Sequence, residues 1–409
     1  MPGITGRGTT FNLPNYHGPL LALSPEDTPF LSSIGGLSGG GETFSTEFEW
    51  QGYDVRSASA TRQRLEGADA PTAEARTRQN FSNVVEIHQE ALDLSYTRLA
   101  TTQQYAGANV SGGVNTPNPV VDENARQIDL HLRAKALDVN LGFIVGRYQK
   151  PSDNLTPRRT RGIMEATSAS NIRYASADPV TDATGTASTD NIGKTAHGLE
   201  NGDVVVLTSL TGGEGLLTQQ AYYVVEKADN TFKVSLTKGG AAVDITTNYS
   251  ALTYRKLILP TKTDFDELLQ TVWQNGGIRR GETATLLVGA GAKRLITKIY
   301  ITDAGYEEGT RNVGGVDCMT IITDFGTLNV MLDRAMPDFA YQVVSLEECE
   351  PIFLNIPDVE NGGSKGYFFV EPLARSGASV KNQIYGELGL RYGSPSSHGR
   401  LWGLGLQMD

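Results

Sequence analysis

The chain has 409 residues, 39% of them hydrophobic, and a formal net charge of -11 from 35 Lys and Arg against 46 Asp and Glu. That length suits two or three domains with sizeable cores, and the acidic balance argues against a protein that grips nucleic acid with its whole surface, because phosphate binding rests on Lys and Arg. No apolar run approaches the roughly 18 residues a membrane span requires, and Cys318 and Cys349 lack the close spacing of a zinc or redox pair, so both read as small core residues.

Met1 to Leu20 holds neither a basic leader nor an apolar core, so a soluble protein made in the cytoplasm is expected. Residues 1–42 read as an extended arm: Pro2, Pro14, Pro19, Pro25 and Pro29 break any helix, and glycines crowd the end of the segment. Its one structured piece is Ser24-Pro25-Glu26-Asp27-Thr28-Pro29-Phe30-Leu31, a capped turn. Phe30, Leu31 and Ile34 need a surface to dock on, either the chain's own body or another subunit.

From Thr43 to Trp50 the residues alternate, with Phe44, Phe48 and Trp50 on one face and Ser45, Glu47 and Glu49 on the other, which predicts a half-buried strand. A second strand is expected over Asn83–Ser95. Between them Arg56–Asn80 has Leu65 as its only large apolar residue and cannot pack a core. It reads as the polar tip of a long hairpin, with Arg56, Arg62, Arg64, Arg76 and Arg78 available to meet acidic groups elsewhere. The plainer alternative is a surface loop that meets nothing.

Asn118–Arg147 is the longest element the chain can form without interruption. Asn118 can cap it, Pro119 suits a first helical position, and Asp122 and Glu123 face the positive end of the dipole. Val121, Ala125, Ile128, Leu132, Val139 and Phe143 make one stripe. At about 1.5 Å per residue the helix spans roughly 40 Å, more than a plain globular enzyme needs, although a long surface helix of an ordinary domain would read the same way. Pro157-Arg158-Arg159-Thr160-Arg161-Gly162 follows, the densest basic cluster of an acidic chain. Such clusters are ordinarily solvated or paired with carboxylates of their own chain, and less commonly contact another subunit or nucleic acid.

Composition shifts at Thr167. As far as Arg255 the chain is rich in Thr, Gly, Asp and Val, with short β runs at Asp203–Thr208, Tyr222–Lys227, Thr231–Leu236 and Ala242–Ile245 and a tight turn at Asp229-Asn230. This predicts a small all-β module inserted into the surrounding domain. A helix then begins near Thr263, with Asp264 and Glu267 as a capping box, Phe265, Leu268, Leu269 and Val272 as its apolar face, and Gly276-Gly277 as its stop. A strand Thr285–Val288, a helix Ala292–Tyr300, a hairpin of Met319–Thr323 with Thr327–Leu332, and strands Tyr341–Val344, Tyr367–Val370 and Ile384–Tyr392 complete an α+β body.

Signatures of chemistry are weak. Ile192-Gly193-Lys194-Thr195 lacks the leading glycine of a phosphate loop, since position 188 is Ser188. Val288-Gly289-Ala290-Gly291 follows a strand and opens a helix, but Arg294 stands where a dinucleotide fingerprint has its third glycine. Asp324-Phe325-Gly326 reads as a hairpin turn and not as a kinase triplet. His17, His88, His131, His197 and His398 lie far apart, without partners at ligand spacing, and no nucleophile elbow is present. The expectation is therefore no catalytic residue, no cofactor and no metal.

An arm, a long hairpin with a polar tip, a spine helix, and a compact α/β part followed by returning strands is the order of parts in the Hong Kong 97-type capsid fold. Pro25-Glu26-Asp27-Thr28-Pro29-Phe30, Phe48-Glu49-Trp50, Arg159-Thr160-Arg161-Gly162, Asp324-Phe325-Gly326 with Arg334-Ala335-Met336-Pro337, and Glu371-Pro372-Leu373-Ala374 resemble the major capsid proteins of tailed bacteriophages. The likeness covers the chain except 167–255, where Ala196-His197-Gly198-Leu199 and Asn201-Gly202-Asp203-Val204 are similar to small β modules of phage structural proteins.

The resemblance implies an N-terminal arm over 1–42, an extended hairpin over 43–97, a spine helix with part of a peripheral domain over 98–166, and an inserted all-β surface module over 167–255. An axial-domain-like part over 256–350 and returning peripheral strands over 351–409 complete the division. The implied function is self-assembly into hexamers and pentamers of an icosahedral virion shell that encloses double-stranded DNA without sequence-specific binding. Identical subunits are the implied partners, with portal, scaffold and decoration proteins beside them; no membrane and no large built-in scaffolding domain are expected. Candidate inter-subunit contacts are Phe30, Arg56, Arg62, Arg64, Glu66, Asp69, Arg76, Arg158, Arg159 and Arg161. The alternatives are an encapsulin-like compartment around protein cargo and, more remotely, a nucleotide-dependent enzyme built on Gly289 and Gly291.

Overall fold

A computed structural model describes residues 26–55, 58–102, 122–279, 284–303, 309–313, 316–360, 362–374 and 377–406. The arm up to Pro25, with His17, lies outside the described residues, as do Arg56 and the expected helix start at Asn118, Pro119 and Val121. Among the described residues the strands form a seven-stranded mixed sheet, a five-stranded sheet, a closed barrel of six and a two-stranded hairpin.

The seven-stranded sheet is built around Ala284–Val288 and Ala340–Ser345, both buried at every position. A strand buried on both faces needs two cores, and the alternation of side chains supplies them. Leu286 and Val288 point into a core closed by the helices Lys262–Gln274 and Ala290–Ile296. Leu287, Met331 and Val344 point the other way, into a core shared with the arm and the long helix. The Lys262 helix starts earlier than its sequence predicts: Thr261 is the cap, and Asp264 accepts from its N–H and its hydroxyl, both at 2.7 Å.

Two expected strands prove to be two pieces each. Gly41–Thr43 pairs in parallel with Glu350–Leu354, whereas Glu47–Tyr53 pairs with Arg78–Val84, and Phe44 in the break between them is 84% exposed. Asn83–Ser95 likewise divides at Val85: beyond it Glu86–Ser95 leaves the hairpin and runs antiparallel to Ser379–Arg391 in the five-stranded sheet.

The long helix covers Glu123–Val145, 23 residues or about 34 Å. Asp122 is its cap, its carboxylate accepting from the N–H groups of Asn124 at 2.9 Å and Ala125 at 3.2 Å. Val139, Phe143 and Ile144 are buried, but Ala125 is exposed and Ile128 and Leu132 are half-buried. Only the C-terminal end of the stripe enters the core. The N-terminal half lies over the Glu86–Ser95 and Ser379–Arg391 strands through polar contacts such as Asn382 Nδ2 to Asn124 Oδ1 at 2.9 Å.

The barrel comprises Val180–Thr186, Asn191–Gly193, Val204–Glu214, Ala221–Val225, Thr231–Ser235 and Thr247–Lys256. Ile192, Val205, Leu207, Phe232 and Tyr254 fill it, and Val204, Val206 and Ala221 turn outward onto the main core. Ala242–Ile245 is not a strand; Ile245 is buried from a loop, its N–H held by Asp190 at 2.9 Å. The chain enters and leaves the barrel side by side, since Ser176 and Leu257 form an antiparallel bridge.

Candidate assembly surfaces

The arm is fastened by a short helix, Pro29–Ser33, whose first N–H groups have no acceptor within it. Phe30 N–H donates to Asp333 Oδ2 at 3.2 Å and Leu31 N–H to Asn140 Oδ1 at 3.0 Å. Asn140 Nδ2 in turn meets both Asp333 oxygens at 3.0 Å, and Ala335 N–H donates to Asp333 Oδ1 at 2.8 Å. A buried carboxylate is tolerated when such donors surround it. At the rim Arg133 pairs with Glu26 at 2.6 Å and Arg334 with Asp27 at 3.3 Å. Phe30 itself is fully buried against the spine helix, so of its two docking places it takes the chain's own body and presents nothing to another subunit. Sequence reasoning passed over Asn140 and Asp333. The available signal was Asn140, a polar residue set between Val139 and Phe143 where the period demands burial.

The hairpin has a fixed root and an uncovered tip. Phe48 is buried, Trp50 stacks on it with ring centres 5.9 Å apart, and the Trp50 indole N–H donates to the Gly393 carbonyl at 2.8 Å while its ring meets Tyr392 edge-on at 4.7 Å. Asn83, fully buried on the opposite strand, donates to the carbonyls of Leu390 at 2.6 Å and Arg161 at 3.1 Å. Beyond Gly52 the packing stops: Tyr53 is 84% and Leu65 86% exposed. Arg62, Arg64, Glu66 and Asp69 are exposed on the tip, and among the described residues Arg76 pairs with its neighbour Glu74 at 3.3 Å, an exposed contact of little energy. Arg56 lies outside the described residues.

The basic cluster is largely committed to its own chain. Thr160 is buried, its N–H donating to Glu86 at 3.1 Å and its hydroxyl accepting from Leu390 N–H at 3.1 Å. Gly162 lies against the end of the spine helix, its N–H 3.0 Å from the Gly146 carbonyl, where an added Cβ would come within 2.6 Å of the Gly146 nitrogen. Arg158 pairs with Glu387 at 2.7 Å, and Arg161 donates to the Tyr392 hydroxyl at 3.1 Å above the Tyr148 ring. Arg159 alone of the three is exposed.

Beneath the spine helix Glu86, His88 and Glu90 face His131, Lys135 and Asp138. Glu90 pairs with His131 at 3.0 Å and with Lys135 at 3.4 Å. Burial, reinforced by the charge of Lys135, pulls His88 down to about 4, and burial pushes the Glu86 carboxyl up. His398 is fully buried; its Nε2–H donates to the Tyr392 carbonyl at 2.5 Å and its Nδ1 accepts from Ser345 N–H at 3.4 Å, and burial lowers its pKa.

The glycines at 289 and 291 do not cradle a phosphate. Asp338 Oδ1 accepts the Gly291 N–H at 2.9 Å, so a carboxylate already stands where an anion would sit, and a Cβ on Gly289 would come within 2.6 Å of that oxygen. Asp324-Phe325 is the turn of the hairpin between Val316–Thr323 and Gly326–Leu332. Ile192-Gly193 lies in a barrel strand.

A family model described as the SU10 major capsid protein matches residues 3–405. No curated protein matches the chain. Among solved structures, the capsid asymmetric unit of cyanophage A-1(L) is similar at 13% identity, covering 97% of this chain and 98% of its own, with a TM-score of 0.50. The capsid of Myoviridae phage XM1 is similar at 12% identity over 99% and 100% of the two chains, TM-score 0.48, and the holo-SrpI encapsulin complex of Synechococcus elongatus at 10% over 98% and 95%, TM-score 0.47. At 13% identity the likeness to the cyanophage capsid concerns the fold alone, which is Hong Kong 97-like.

Proposed function

The chain belongs to the SU10 major capsid protein family, and from that premise we propose that copies of it close into an icosahedral shell of hexamers and pentamers around double-stranded DNA. Membership makes it a shell-forming capsid protein of the virion. The hexamers, pentamers and enclosed DNA belong to our reading, as do a purely structural role without catalysis and the partnership of portal, scaffold and decoration proteins. So does the use of the Val180–Lys256 barrel as an inserted, outward-facing module.

One observation supports the shell reading above the others: the hairpin is clamped at its root by Phe48, Trp50 and Asn83 and leaves a charged tip that its own body does not cover. A reaching part fixed at one end is suited to lie over a neighbour. Each such contact can be weak, because a closed shell repeats it many times and only closure satisfies every copy. With a net charge of -11 the wall would hold DNA by enclosure and not by grip. Electron microscopy of the expressed protein tests the reading. Closed particles with rings of five and six subunits are expected; a monodisperse monomer at high concentration would overturn it, and particles filled with protein would favour a cargo compartment.

A further inference from the structure

Three stretches remote in sequence line a cavity of about 370 Å³ that is open to solvent on one side: the end of the spine helix at Leu141 and Val145, the loop from Arg334 to Phe339, and Gln219 and Gln220 of the barrel. Arg400 and Trp402 also line it. Arg400 is 3% exposed, its guanidinium carbon lies 4.9 Å from the Trp402 ring centre, and among the described residues no acceptor is within hydrogen-bond reach of its Nε. A guanidinium carries five N–H donors in a planar fork, and burying one without an acceptor is costly. Burial lowers Arg400 only to about 10, so it remains a cation at neutral pH.

The surroundings add positive charge. Arg147 lines the cavity with its Nη2 donating to the Gln219 carbonyl at 2.8 Å, and Arg334 lines it too, with a largely exposed side chain. Glu165, the carboxylate among the lining residues, accepts from Tyr148 N–H at 2.5 Å and faces Arg161 Nε at 3.9 Å. Arg334 is itself paired with Asp27 at 3.3 Å at the rim, so Arg147 and the buried Arg400 face Glu165 as the carboxylate of the lining, and the inner end of the cavity keeps an excess of one positive charge.

We propose that this cavity binds an oxyanion, a carboxylate or a phosphate, with Arg400 as the buried ligand and Arg147 completing the positive field. The fork of a guanidinium matches two oxygens of either group. Met336, Phe339 and Trp402 give the site an apolar wall in which a charged hydrogen bond is stronger than in water. The volume exceeds that of a bare ion, which suits an anion carried on a small organic group. The site is contained within one chain, so its test needs no assembled shell.

The unassembled full-length protein is titrated with inorganic phosphate and, separately, with acetate, at fixed ionic strength balanced by chloride, and its thermal unfolding is followed. A saturable rise in Tm is expected with at least one of them, and the anion acting at the lower concentration identifies the class of ligand. Arg400→Met should raise the midpoint concentration about tenfold or more. Gln220→Glu, which offers a carboxylate from the cavity wall and keeps Arg400, should raise Tm without added anion and abolish the response; it decides the matter if Arg400→Met does not fold. Equal responses in the parent and Gln220→Glu, or no saturable response in the parent, would overturn the assignment.

Discussion

Asp333 gathers N–H donors from Phe30 and Asn140, two stretches remote from it in the chain, and from Ala335 of its own loop. Removing the carboxylate leaves those donors buried without an acceptor, so Asp333→Ala should lower the unfolding free energy of the unassembled subunit by about 3 kcal/mol in urea titrations. A loss below about 1 kcal/mol would show that the arm is held by apolar packing alone. His88 gives a second prediction. It stays neutral in the folded chain down to about 4, whereas an unfolded histidine takes its proton near 6.5. Between those values the unfolded chain binds more protons, so this contribution is complete above about pH 6.5 and declines as the pH falls toward 4, by on the order of 3 kcal/mol for the full shift. Glu86 acts in the opposite sense, since its raised pKa favours the folded state as acid is added, and the neighbouring charges on Glu90, His131, Lys135 and Asp138 are common to both proteins compared. His88→Gln should therefore flatten the acid limb of the stability curve; an identical limb would exclude His88 as its source. Neither residue was legible as important in the sequence, because burial of an isolated Asp or His depends on which distant stretch covers it.

At the scale of elements, the hairpin Glu47–Tyr53 with Arg78–Val84 keeps its tip outside every core of the chain. Arg62→Glu combined with Arg64→Glu should change subunit stability by less than about 0.5 kcal/mol, as surface substitutions do, while lowering the yield of closed particles; an unaltered yield in electron micrographs would remove the tip from the assembly contacts. The barrel invites a deletion. Ser176 and Leu257 are paired across an antiparallel bridge, so a short Gly-Ser link can replace residues 177–256. The remainder should fold but lose about 3–5 kcal/mol, because Val204, Val206 and Ala221 leave the main core and Gln219 leaves Trp402 and Tyr174. Circular dichroism and thermal melting would check this, and an insoluble product would mean that the barrel is needed for the body to fold. The Thr231–Ser235 strand and the turn before it were readable from alternation and turn chemistry. Val180–Thr186 was not, since Thr, Asp, Ala and Gly carry little apolar signal and only closure of the barrel gives them partners.

For the whole molecule, the spine helix shows how far local pattern reaches. Its apolar stripe and the acidic residues at its start were plain in the chain, and the helix forms from Glu123 to Val145 with Asp122 as its cap. Which half would be buried was not plain, because the stripe reads alike along its length while the arm, Asp333 and the Ser379–Arg391 strand arrive from hundreds of residues away. The arginines after it tell the same story. A basic run looks like a surface meant for a partner, yet Arg158 and Arg161 are held by Glu387, Tyr392 and Tyr148 of the same chain, whereas Arg62, Arg64, Arg76 and Arg78 of the hairpin stay exposed.

The amino-acid sequence alone determined the order of parts, the character of each and the acidic balance, since periodicity, turn residues and charge are properties of short windows. Tertiary structure decided which charges are internal and which face outward, where Phe30 docks, and that Arg400 lies buried beside a cavity. Burial and pairing are relations between segments far apart in the chain, and no window of sequence contains both members of such a pair.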